Sequence, residues 1–110
     1  MEFQQLMRRA MEIRKQYEAK ETQLYGSSWT NEEIALGFIG DIGDLAKLLI
    51  AANGKRDKRD IPNNKEKLAH ELADCLWSVI VLSNIHEIDL ESSFINTMNE
   101  LEKHLSDTSI

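Results

Sequence analysis

One proline and five glycines in 110 residues leave this chain little punctuation. A β-sandwich or small barrel needs a turn signal roughly every ten residues, so that scarcity excludes them and favours helices. Cysteine is nearly absent too. Cys75 alone rules out an intrachain disulfide and fits a reducing, cytoplasmic setting. Its apolar neighbours predict a buried, inert thiol. Basic charge is also short, with 13 Lys and Arg against 19 Asp and Glu, a net charge of −6. A broad phosphate-binding face for nucleic acid is therefore not expected. A small nucleotide arriving with a cation remains compatible. No run reaches the roughly 18 apolar residues of a membrane span, and MEFQQLMRRAMEIRK lacks a signal-peptide core. The expectation is a soluble, intracellular protein without a membrane partner.

What is present is helical period over a single domain, 1–110, with one modest core. Four helices are predicted, at about 1–20, 31–52, 64–86 and 90–105. In the first, Phe3, Leu6, Met7, Ala10, Ile13 and Tyr17 share a face. ETQLYGSSW breaks that pattern. Thr30-Asn31-Glu32-Glu33 reads as a capping box opening the second helix, and Asn53-Gly54 as its stop. The charged loop KRDKRDIPNN follows, with Asn63 a candidate cap for the third helix. Asp89 should cap the fourth, where Leu90, Phe94, Met98, Leu101 and Leu105 align. Short connections make neighbouring helices antiparallel, so the fold class is all-α, an antiparallel four-helix bundle-like subunit.

Within this apolar framework the carboxylates are misplaced. At 100° per residue, Ile34, Phe38, Ile42, Leu45, Leu48 and Leu49 form one arc of the second helix. Asp41 falls inside it and Asp44 at its edge. The third helix is apolar almost all round, which marks it as buried, yet Glu71, Asp74 and Ser78 share one strip. A carboxylate facing a core is costly unless it is paired or bound to metal. Neither strip carries Lys or Arg. Four inward oxygen donors, Asp41, Asp44, Glu71 and Asp74, suit Mg²⁺ or Mn²⁺. The alternative is pairing with basic groups from the first helix, the fourth helix or a second subunit.

GDIGDLAKLL followed by HELADCLWSVIVL resembles the MazG-like, all-α nucleoside triphosphate pyrophosphohydrolases. Their hallmark is a Glu-x-x-Glu pair on one helix and Glu-x-x-Asp on the next. Asp41-x-x-Asp44 matches the first pair in position and Glu71-x-x-Asp74 the second in identity, within a likeness running from about Trp29 to Leu105. The chain departs in having aspartates at 41 and 44 and Gly40 where another acid is common. The shorter side chain moves a metal toward the second helix or interposes water. FINTMNELEKHL also lacks the Lys, Asn and basic–aromatic end usual in the last helix.

The resemblance implies hydrolysis of a nucleoside triphosphate between the α and β phosphates, giving monophosphate and pyrophosphate. Asp41, Asp44, Glu71 and Asp74 would hold Mg²⁺, with Mn²⁺ an alternative, to neutralise phosphate charge and orient a water. Asp41, the most inward, is chosen as the proton acceptor. Trp29 occupies a position the family uses and could stack on a base, or serve as a hydrophobic staple. Lys55 and Arg56, in a cluster with Lys58 and Arg59, could approach the outer phosphates or form a solvated loop. His70, His86 and His104 lack mutual metal spacing and receive no role. A third helix so apolar exceeds what one subunit covers, so a homodimer or homotetramer is expected. The rival reading is a non-catalytic MazG-like oligomer that binds metal or nucleotide. A third is a structural oligomer whose carboxylates are neutralised across its interface.

Overall fold

The computed structural model describes residues 2–54 and 64–107, and its elements are four helices: α1 (Phe3–Tyr25), α2 (Asn31–Ala52), α3 (Asn64–Ile85) and α4 (Leu90–Asp107). The expected cap Asn63 lies outside the described residues. α1 continues five residues past Lys20, since Glu21 to Tyr25 contains no helix breaker. It stops at Gly26, whose left-handed φ of 84° lets its N–H reach the Thr22 carbonyl at 2.9 Å. The predicted box opens α2: Thr30 Oγ1 accepts from the Glu33 N–H at 3.2 Å, and Glu33 Oε1 accepts from the Thr30 N–H at 3.0 Å.

α2 and α3 pack antiparallel. Asn64 Nδ2 donates to the Leu48 carbonyl at 3.4 Å, while Ser78 Oγ lies 3.5 Å from Asp41 Oδ2. Numbers rising along α2 thus meet numbers falling along α3. The core between them is small, with Ile34, Leu48 and Ala51 from α2 and Ile80 and Val81 from α3. α1 joins it through Ala10, whose carbonyl accepts from Trp77 Nε1 at 3.0 Å, and through Tyr17, whose ring centroid is 5.5 Å from that of Trp77. By length and composition α3 would suit a membrane span. In this fold it packs along α2 and carries three carboxylates, Glu66, Glu71 and Asp74.

α3 ends in a reversal in which the Ile88 N–H donates to the Ser83 carbonyl at 2.9 Å. Glu87 occupies the left-handed position of that turn, φ 55°, where a Cβ is unfavourable by about 1 kcal/mol. Glu87→Gly is therefore expected to raise the unfolding free energy by about 0.5–1 kcal/mol, measured by urea denaturation. An unchanged or lower midpoint would show that the turn tolerates its side chain.

Asp89 caps α4 as expected, accepting from the Ser92 N–H at 3.1 Å and pairing with Ser92 Oγ at 3.0 Å. These bonds hold its carboxyl below the usual range. α4 itself buries none of its residues, and Phe94, Ile95, Met98 and Leu101 are exposed. Gln4 Nε2 of α1 donates to Glu91 Oε2 of α4 at 2.7 Å. The all-α expectation stands, but α4 leaves the bundle open within one subunit. The radius of gyration, 17.6 Å, exceeds the roughly 13 Å of a compact chain this long.

Candidate metal centre

The α2–α3 interface collects the four predicted carboxylates. Asp41, Asp44 and Glu71 can each bring an oxygen within 4.8 Å of the others'. Glu71 is also shared with a second set, His70 and Asp74, of the same compactness. Two helical repeats produce this: an i,i+3 spacing stacks Asp41 over Asp44, and Glu71 over Asp74. Antiparallel packing then sets the pairs face to face. Asp44 is exposed, while Asp41, Glu71 and Asp74 are half-buried.

The electrostatics are those of a site short of positive charge. Among the described residues, Arg14 is engaged with Glu18 and Glu21, and Arg9 with Glu12. Within the cluster His70 Nε2 lies 3.1 Å from Asp74 Oδ2. Burial and then the charges of Asp74, Asp44 and Asp41 push the Glu71 carboxyl above its ordinary range. Asp41 is raised by burial and by Asp74, against the lowering contact from Ser78. Glu71 Oε2 is buried without a hydrogen-bond partner. A lone buried carboxylate oxygen among like charges is destabilising unless a cation joins it. The residues present therefore fit a divalent ion with hard oxygen ligands.

The MazG nucleotide pyrophosphohydrolase domain family matches residues 30–105, more than half of the chain. The chain belongs to this family. No curated protein and no solved structure matches the chain closely enough to count. The MazG match takes in α2, α3 and nearly all of α4, but stops short of α1 and Trp29. Membership carries the family's general character, hydrolysis of nucleotides with typical dependence on a metal.

Beside the MazG carboxylates lies a cleft of about 330 Å³, walled by Tyr17, Trp29, Trp77 and Val81 and edged by Asp41 and Asp74. Trp29 rests on Gly37, where an added Cβ would come within 2.9 Å of the indole. Gly37→Ala gains about 1 kcal/mol in helix propensity yet displaces that ring. The expected outcome is a red-shifted Trp29 emission, read in a Trp77→Phe background. An unshifted spectrum would mean that α2 yields instead.

Asp41, Asp44, Glu71 and Asp74 are thus brought together, and Trp29 stands at the adjoining cleft. Lys55 and Arg56 lie outside the described residues. Trp77, opposite the carboxylate strip in projection, packs on α1 and walls the same cleft. Sequence reasoning passed over three residues. His70 could have been found from its i,i+4 relation to Asp74. Arg14 and Glu21, buried and paired at 2.9 Å, gave little signal, because seven residues is two helical turns and both look like ordinary surface charges.

Proposed function

We propose that the protein is a metal-dependent nucleoside triphosphate pyrophosphohydrolase acting between the α and β phosphates. The observation that carries this reading is the carboxylate cluster with its orphaned Glu71 oxygen, edging an aromatic-walled cleft in a MazG domain. Asp41, Asp44, Glu71 and Asp74 would hold Mg²⁺ or Mn²⁺, with His70 in reach. When bound, a divalent ion there would supply charge neutralisation for the phosphates and lower the pKa of a bound water. Asp41 edges the cleft, and burial makes it a stronger base than a surface carboxylate. It takes the proton of the attacking water. The new bond joins water oxygen to the α phosphorus, the bridge to the β phosphate breaks, and pyrophosphate leaves.

Trp29 offers a face on which a base could stack. The exposed side of α3, with Leu72 and Leu76 half-uncovered, and the apolar face of α4 support assembly into a homodimer or homotetramer. The test is pyrophosphate release from a panel of nucleoside triphosphates with Mg²⁺ or Mn²⁺, repeated with EDTA. Metal-dependent release is expected. Its absence from a folded protein that still binds the cation would assign the non-catalytic reading instead.

A further inference from the structure

α1 lies outside the matched MazG segment, yet it carries the most buried charges described in the molecule. Arg14 is 5% exposed and Glu21 8%. Their pairing is bidentate, Nη1 to Oε2 at 2.9 Å and Nη2 to Oε1 at 3.2 Å. The same Glu21 Oε1 accepts the main-chain N–H of Trp29 at 2.8 Å. Glu21 is thus a hinge pin between the last turns of α1 and the residue that presents an indole to the cleft. Arg14 and Glu21 both line that cleft.

Burying such a pair is an odd way to stabilise a small helical protein. Apolar residues of similar volume usually serve as well or better. What apolar residues cannot do is accept the Trp29 N–H, and what a lone glutamate cannot do is stay ionised while buried. Arg14 holds the Glu21 carboxyl below its ordinary range against its burial, and the Trp29 N–H assists. The pair also cancels its own charge. One end of the cleft is therefore nearly neutral and aromatic, while the other is acidic and suited to a cation with its phosphates. That polarity decides which way round a nucleotide would lie.

We propose that Arg14 and Glu21 are positioning residues that hold Trp29 as the wall for a neutral, planar base, so that α1 governs selection of the base and not of the phosphates. This inference rests on the nucleotide reading above. It is tested with two double variants of the full chain that differ in one group. Arg14→Met with Glu21→Gln removes both charges and leaves an amide oxygen for the Trp29 N–H. Arg14→Met with Glu21→Met removes that acceptor too. Calorimetry with Mn²⁺ alone, Mn²⁺ with pyrophosphate, and Mn²⁺ with each of the four common nucleoside monophosphates gives the readout.

The Met/Gln protein should bind the monophosphates within about threefold of wild type. The Met/Met protein should lose roughly tenfold or more, the order of one base-stacking contact, while keeping its affinities for Mn²⁺ and pyrophosphate. Equal monophosphate binding by the two variants, or a parallel loss of pyrophosphate, overturns the proposal. If that second protein fails to fold, Arg14→Leu with Glu21→Leu, which likewise removes both charges and the acceptor, takes its place in the comparison. Wild-type protein that binds Mn²⁺ but no nucleotide would defeat the nucleotide reading itself, an outcome distinct from indifference to the acceptor.

Discussion

Replacing Glu71 by glutamine is expected to abolish turnover and yet stabilise the metal-free protein at neutral pH. The loss of rate should be at least about a hundredfold, the order seen when one electrostatic contact to a reacting group is removed. The gain in stability follows from linkage. Glu71 titrates above its ordinary 4.5 in the folded state, because burial and its acidic neighbours disfavour the charge. A raised folded pKa means the native state binds the proton more tightly than the unfolded chain. Glu71's contribution is therefore fully present below about 4.5 and is lost as pH rises through the folded value. Asp41, raised from 3.8, acts with the same sign. Glu21 and Asp89, both lowered, act oppositely, giving stability that is lost only as pH falls through their folded values.

The difference between wild type and Glu71→Gln cancels those other groups. Without metal, the variant should melt increasingly above the wild type as pH rises from 4.5 to 7.5. Adding Mn²⁺ at pH 7.5 should reverse the order. At a hundredfold excess over the dissociation constant, binding stabilises the wild type by about 2.7 kcal/mol, which is about 10 °C for a domain of this size. Melting curves at several pH values, with and without Mn²⁺, decide the matter. A variant that melts with or below the wild type at every pH would mean that the Glu71 oxygen is already satisfied. Equal Mn²⁺ shifts in both proteins would place the ion elsewhere.

The second large effect concerns α4. Met98 and Leu101, 40% and 51% exposed, sit in the middle of its apolar face only partly covered by their own subunit. Met98→Glu with Leu101→Glu is expected to break the proposed assembly. Light scattering should then report a mass near the 12.6 kDa of one chain, with reduced helicity, because the α2–α3 core is too small to hold four long helices. A wild-type protein that already runs at 12.6 kDa, stably folded, would remove the oligomer from the proposal. Cleavage by the Met98, Leu101 double variant at the wild-type rate would show that the carboxylate cluster works within one subunit.

Much of the carboxylate arrangement was legible in the residues because helical period is a local property. Asp41 falls within an apolar arc, and Glu71 and Asp74 interrupt an all-apolar helix. Those placements follow from 100° per residue and need no partner to be seen. The same locality explains the capping of α2 by Thr30 and of α4 by Asp89, where a side chain bonds a backbone group three residues on. It also explains the stop of α1 at Gly26, five residues beyond the end expected at about Lys20, since a fading apolar stripe is a weaker terminator than a left-handed glycine.

The linear order says nothing about groups that meet across helices or lock one turn against a loop. Arg14 and Glu21 look like solvated charges along α1, and only packing against the Trp29 segment buries them. Sequence by itself determined that the chain is helical, that Thr30 and Asp89 cap α2 and α4, and that two carboxylate pairs share one strip on each of α2 and α3, because each depends on neighbours within about one or two turns. Tertiary structure alone decided that α4 stands unburied and that a neutralised ion pair anchors the tryptophan beside the carboxylates. Those outcomes depend on which surfaces meet, and side-chain burial across separate helices has no local period to announce it.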